Sequence, residues 1–292
     1  MSPVPDGYPL SAAGVAAKGT ATPAAISPAA IAGNKIFGHW RMVDHGVVAP
    51  AGTVFPGGPL VTDAPIWVQG SDNYNCMMFN GVSDTPCQYI DDVIDGYPGL
   101  SIPGTDGPGS GYLQSFGVLY ETGDRPSLWM LARLSGLGDN DEVAWATLLE
   151  AGSGQGARFL SQPVGGGTGY NTLHQLFCRM SYVGDGGIPA QVAVAHEIPA
   201  QQAHLYALHY NADNGLFEID NEQYVVPTGG GVPPLWGGGG FNGIITGSAT
   251  GSISNGASEI VDLCWGVNLT SQEQANIKNN YFGRRYPSLR LT

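Results

Sequence analysis

Glycine and proline interrupt this chain so often that few segments are long enough to wind into a helix. Forty-five glycines and 21 prolines occur in 292 residues. Several gather in clusters, at Gly165–Gly167, Gly184–Gly187, Gly229–Gly231 and Gly237–Gly240. Glycine carries the largest backbone entropy loss on ordering, and proline lacks the donor that a helix or an inner strand needs. The intervening runs are short, apolar or alternating, at about 127–134, 143–149, 157–161, 172–182, 190–197, 203–210, 215–220, 223–227, 242–247 and 257–265. Short strands divided by such turns pack as an all-β sandwich or barrel. A hydrophobic content of 42% supplies a core, and no fixed-period repeat is visible.

The last fifty residues contain two linked signals. Ala257–Trp265 alternates in part but is apolar on both faces, which predicts a buried strand. Thr270-Ser271-Gln272-Glu273 then forms a capping box, and the helix it opens carries Ala275, Ile277, Tyr281 and Phe282. Upstream, His204–Tyr210 alternates toward a turn at Asn214-Gly215. Leu216–Ile219 returns, and Asp220-Asn221 marks a second turn before Tyr224-Val225-Val226. Earlier still stand Met77–Asp84, which closes on a Gly-x-x-Asp turn, and the apolar Ser127–Leu134.

These segments together resemble the concanavalin A-like (laminin-G-like) jelly-roll domain. Glu259, Ile260, Trp265, Leu269, Thr270 and Glu273 occupy the places of that family's closing strand, turn and capped helix. The resemblance runs patchily over residues 70–290 and is densest at the C-terminus. It implies an antiparallel β-sandwich with a short C-terminal helix, divided as an extended N-terminal arm over 1–35 and a sandwich domain over 36–292. Within that domain, 36–126 would hold early strands and loops, and 127–292 the main sandwich.

Charge excludes one class of partner. The formal net charge is −13 with only 11 lysines and arginines, whereas a nucleic-acid backbone needs a basic footprint. Arg284, Arg285 and Arg290 form one basic cluster, placed to complement the end of the predicted helix. No window approaches the ~20 apolar residues of a membrane-spanning helix. The proline-interrupted start lacks the basic and apolar regions of an export leader. Cys76, Cys87, Cys178 and Cys264 show no Cys-x-x-Cys spacing, so no zinc site is expected. Cys76 and Cys87 flank a turn; Cys178 and Cys264 sit in apolar patterns, as buried thiols do.

The sharpest catalytic motif is Glu218-x-Asp220-x-Glu222. Retaining glycosidases of the same fold carry a Glu-x-Asp-x-Glu strand as nucleophile, electrostatic tuner and acid/base. On an unbroken strand the three carboxylates share one face, and retention needs two of them roughly 5–5.5 Å apart. Asn221 stands where that pattern has an apolar residue, and Asp220-Asn221 also reads as a hairpin turn, so an acidic hairpin is the competing expectation. Asp91, Asp92 and Asp95, and likewise Asp139–Glu142, match no calcium-ligand spacing. His204 and His209 fall on opposite strand faces. No metal or cofactor is expected, and the chain reads as non-enzymatic.

Sugar binding would draw on exposed aromatic rings: Trp236 and Phe241 around the four-glycine run, and Tyr112 and Tyr170 beside glycines. Residues 1–35 are too poor in apolar residues to build a core, but Ile26, Ile31 and Ile36 are spaced as anchors for a neighbouring subunit. A sandwich with such an arm resembles bacteriophage virion proteins: capsid decoration proteins, head fibres or tail-associated modules. That resemblance implies self-association, contact with other virion proteins and with host surface glycans, and assembly in the host cytoplasm. A retaining glycoside hydrolase and a soluble lectin are the rival expectations.

Overall fold

The structure is a computed structural model of the 292-residue chain. It describes residues 23–41, 58–67, 76–81, 88–102, 112–115, 124–136, 143–151, 155–163, 174–180, 190–194, 202–211, 214–227, 244–245, 254–255 and 257–291. The strands begin with β1 (Ile36–Arg41), β2 (Gly58–Trp67), β3 (Cys76–Gly81), β4 (Gln88–Ile94), β5 (Tyr97–Ile102) and β6 (Tyr112–Ser115). The middle of the chain adds β7 (Pro126–Gly136), β8 (Val143–Ala151), β9 (Gln155–Pro163), β10 (His174–Met180) and β11 (Ala190–Val194). Last come β12 (His204–Tyr210), β13 (Asn214–Ile219), β14 (Glu222–Pro227), β15 (Ile244–Ile245), β16 (Ser254–Asn255) and β17 (Ala257–Val267).

These strands form two sheets, making the all-β sandwich that the turn pattern predicts. The first has eight strands in the order β14-β13-β12-β7-β17-β5-β4, with β1 also paired to β17. The second has nine, in the order β11-β10-β9-β8-β15-β6-β3-β2, with β16 paired to β8. Pairing is antiparallel except for the short β16–β8 contact. Of the predicted strands at 242–247 and 172–182, the described residues Ile244–Ile245 and His174–Met180 are in strands.

The centre of the first sheet is buried on both faces, which is why β7, β12 and β17 read as nearly continuous apolar runs. Leu128, Met130 and Ala132 point inward with Tyr206, Leu208, Leu263 and Trp265, toward Leu176, Cys178 and Met180 of the second sheet. Trp129, Leu131, Leu205, Ala207 and Cys264 point outward and are covered by Ile277, Tyr281, Phe282 and Tyr286. A bulge between Ile260 and Asp262 lets Val261 and Asp262 both face that outer layer. Cys178 and Cys264 are buried free thiols. Cys76 lies in β3, and Cys87 falls outside the described residues.

The outer layer is the C-terminal helix. It opens as α2 (Ser271–Asn276) with the predicted capping box complete: Thr270 Oγ1 accepts from Glu273 N at 3.2 Å, and Glu273 Oε2 accepts from Thr270 N at 2.7 Å. Residues Ile277–Phe282 then widen, and Gly283 N–H donates to Lys278 O five residues back, before α3 (Gly283–Arg285). A regular helix was expected throughout. The wide turn carries Tyr281 and Tyr286, five apart, onto one carboxylate: both hydroxyls donate to Asp262 Oδ2, at 2.6 and 2.7 Å. His39 Nε2 completes the set on Asp262 Oδ1 at 3.0 Å. Burial pushes the Asp262 pKa up, but His39 and the two tyrosine hydroxyls outweigh it and hold the carboxyl below its ordinary value.

The first described residues, 23–36, lie along this helix. Ser27 caps the short α1 (Pro28–Ala32), Ile26 N donates to Asn280 O at 3.0 Å, and Lys35 Nζ reaches both Glu273 oxygens at 2.8 Å. Ile36 is 1% exposed and Ile31 packs on the same cluster. Both are therefore committed to this chain's own core, which corrects their expected role as anchors for a neighbour. Ile26 is 41% exposed. Gly38 is required by close approach, since a Cβ there would collide with the indoles of Trp40 and Trp265.

Candidate functional site

The Glu218-x-Asp220-x-Glu222 motif is a hairpin and not one strand. Ile219 pairs with Glu222 and Glu218 with Gln223, so Asp220 and Asn221 make the turn, and Asp220 adopts a left-handed φ of 51°. The turn reverses the alternation of faces. Glu218 lies on the outer face with Gln223, while Glu222 lies on the opposite face with Ile219. The retaining pair of carboxylates is therefore not assembled, which corrects that reading of the motif.

Each member of the motif has its own partners. Glu218 is 6% exposed beneath the helix and accepts from Lys278 Nζ at 3.2 Å and Gln223 Nε2 at 2.5 Å. Asp220 accepts from His204 Nδ1 at 2.6 Å and Leu205 N at 2.8 Å. Glu222 is exposed and accepts from the Tyr224 hydroxyl. An exposed acidic hairpin thus describes Glu222 but not Glu218.

The same turn forms one wall of an open groove of about 900 Å³, lined in part by Asp92, Asp95, Gln202, Asp220, Ser288 and Arg290. Its walls are three turns locked to one another. Asp95-Gly96 joins β4 to β5, with φ of 51° and 78°, and Gly96 N donates to Asp92 Oδ1 at 3.0 Å. Ser288 donates to Asp95 from its backbone N at 3.1 Å and from its hydroxyl. Asn221 Nδ2 donates to Arg290 O at 3.0 Å. Asp92 and Arg290 also hold left-handed φ values, 42° and 52°. So four of the five non-glycine left-handed residues described surround this one groove. Backbone held in sparsely populated regions concentrates at sites that bind or switch. Asp92, Gln202, Ser288 and Arg290 are exposed on its surface.

Of the aromatic candidates for sugar stacking, Trp236, Phe241 and Tyr170 lie outside the described residues, and Tyr112 is in β6, paired with Asn80 of β3. Among the described residues no group of three or more His, Cys, Asp or Glu is arranged to hold a metal ion, and no helix is long and apolar enough to cross a membrane. The arginine cluster does more than meet a helix end. Arg285 lies over the Tyr97 ring at 4.8 Å and donates to the Tyr286 hydroxyl at 3.3 Å.

No protein-family model matches the sequence, and no curated protein does. Solved structures do. A Trypanosoma rangeli sialidase is similar over 84% of this chain and 33% of its own, at 12% identity and a TM-score of 0.42. The binding domain of botulinum neurotoxin serotype D is similar over 78% and 50%, at 11% and 0.43. An endo-acting O-glycanase from human gut microbiota is similar over 79% and 98%, at 15% and 0.41. The chain thus spans a third of the sialidase chain and half of the toxin domain's. These neighbours are β-sandwich proteins named for glycan chemistry or for binding, and at such identities the likeness concerns fold alone. The expectation of a non-enzymatic chain is corrected to this extent: a sialidase and an O-glycanase are among the similar structures, and no activity passes from them to this chain.

Sequence reasoning missed Lys278, Gln223 and His209 as a group, and Gln202, Ser288 and Arg290 as a groove. A signal existed for the first group: Lys278 interrupts the apolar positions Ile277, Tyr281 and Phe282 of a capped helix. The groove draws on segments distant in sequence and had none.

Proposed function

We propose that this chain is a carbohydrate-binding β-sandwich module that works as part of a bacteriophage particle. One observation carries the carbohydrate reading: the groove at the β4–β5 and β13–β14 turns offers carboxylates, an amide, a hydroxyl and a guanidinium on mutually locked turns. A sugar is recognised by several hydroxyls at once, and that requires donors and acceptors whose positions do not relax. A groove this polar suits a hydroxyl-rich ligand better than an apolar one. The particle context is favoured by the alanine- and proline-rich composition of residues 1–22, which is too poor to build a core of its own. It implies neighbouring virion proteins, self-association, and host surface glycans as the ligand.

Two measurements test this. A glycan array probed with the full chain should give a selective signal that Gln202→Ala and Arg290→Ala reduce. A flat array defeats the carbohydrate reading, and the same glycans assayed for cleavage decide whether turnover follows binding. Mass spectrometry of purified particles should find the chain in many copies, and its absence there defeats the particle reading.

A further inference from the structure

Beneath the C-terminal helix, one carboxylate bridges an amine and a primary amide. Glu218 Oε2 accepts from Lys278 Nζ at 3.2 Å, while Oε1 accepts from Gln223 Nε2 at 2.5 Å. Glu218 is 6% and Lys278 8% exposed. Gln223 sits directly across from Glu218 on β14, itself exposed to solvent. Beside them His209, 1% exposed, meets Trp129 edge-on at 4.8 Å, and its Nδ1 has no hydrogen-bond partner among the described residues. A buried ion pair is a poor source of stability, because desolvation offsets most of its attraction. Its retention in this layer calls for another account.

We propose that Lys278 and Gln223 join in an intramolecular isopeptide bond, with Glu218 as the proton carrier. Glu218 takes a proton from the Lys278 ammonium through Oε2. The freed amine attacks Gln223 Cδ, forming the new C–N bond and a tetrahedral centre. Glu218 delivers that proton through Oε1 to Nε2, the Cδ–Nε2 bond breaks, the new amide nitrogen sheds its second proton, and the leaving ammonia carries it off as ammonium on the solvent side. Amine and primary amide become secondary amide and ammonia, so nothing is oxidised or reduced and no co-reactant is needed. Lysine amines are established nucleophiles once deprotonated, and a positioned carboxylate is a competent proton shuttle. Holding both reactants on the two oxygens of one carboxylate replaces a bimolecular encounter by a positioned one. The product ties the C-terminal helix covalently to the β13–β14 hairpin.

The test is the intact mass of the purified full chain after incubation, folded, at neutral pH. The expected result is a mass lower than the sequence mass by one ammonia, with fragmentation giving a branched peptide that joins 223 to 278. Gln223→Ala changes an exposed residue and should fold normally at its full sequence mass. Glu218→Gln and Lys278→Arg disturb a buried pair and should be less stable, and their folded fraction should also show the full sequence mass. An unmodified wild-type mass overturns the proposal, and so does an ammonia loss that persists in Gln223→Ala.

Discussion

Acid should weaken this fold through His209 before the carboxylates titrate. The imidazole is packed against Trp129 under the helix. Burial lowers its pKa from 6.5 to about 4; Glu218 opposes that shift and Lys278 adds to it. The unfolded chain therefore takes up a proton near pH 6.5 that the folded chain refuses until about pH 4. The stability tied to neutral His209 is fully present above pH 6.5 and disappears as pH falls toward 4. At about 1.4 kcal/mol per tenfold in proton affinity, the difference is worth about 3 kcal/mol. His209→Leu removes the titration and keeps the packing. Unfolding free energies from urea titrations, read by tryptophan fluorescence between neutral pH and the His209 pKa, should fall with acid in the wild type by about 3 kcal/mol more than in the variant. The other histidines are common to both proteins and cancel in the comparison. Parallel profiles for the two proteins would refute the reasoning. Amide formation at Lys278 removes the cation that helps to lower His209, so the step should be larger in the Gln223→Ala background.

Three further outcomes are expected. Asp262→Asn leaves His39, Tyr281 and Tyr286 gathered round a neutral amide, and should lower the unfolding free energy in urea by about 3–5 kcal/mol. It should also abolish the acid step that appears in the wild type as pH falls through the depressed Asp262 value. Thr270→Ala removes the cap of α2 and should reduce stability by about 1 kcal/mol, with faster amide exchange confined to the C-terminal helix. Gly38→Ala places a methyl against Trp40 and Trp265, and should destabilise thermally by about 1–3 kcal/mol.

The β architecture was legible because its signals are local. Burial of β7, β12 and β17 on both faces leaves apolar runs, and Thr270 and Glu273 stand three residues apart, within reach of one helical turn. The chemistry of Glu218, Asp220 and Glu222 was legible only in part. The same five residues read as one strand bearing three carboxylates or as a hairpin that separates them. What decides between the two is the left-handed φ of Asp220, which lets its carboxylate clamp Leu205 N and His204. Asp-Asn is a turn dipeptide, so the hairpin was among the expectations, but local sequence did not exclude the strand. The widened turn at 277–282 had no local signature at all; what it achieves is that Tyr281 and Tyr286 both reach a carboxylate from a different element.

Alternation along a strand assigns residues to faces, but it does not say which face a third layer will cover. Once the helix lies over the first sheet, Glu218, Asp262 and Lys278, which a two-layer sandwich would leave in water, become interior. Each must then find a partner across long stretches of chain: Glu218 reaches Lys278, and Asp262 reaches back to His39. The reactive potential proposed for the Lys278–Glu218–Gln223 group arises from that covering layer, because the helix brings a buried amine onto the same carboxylate that holds the Gln223 amide. The motif that drew attention as a catalytic strand owes its one buried carboxylate to the same helix.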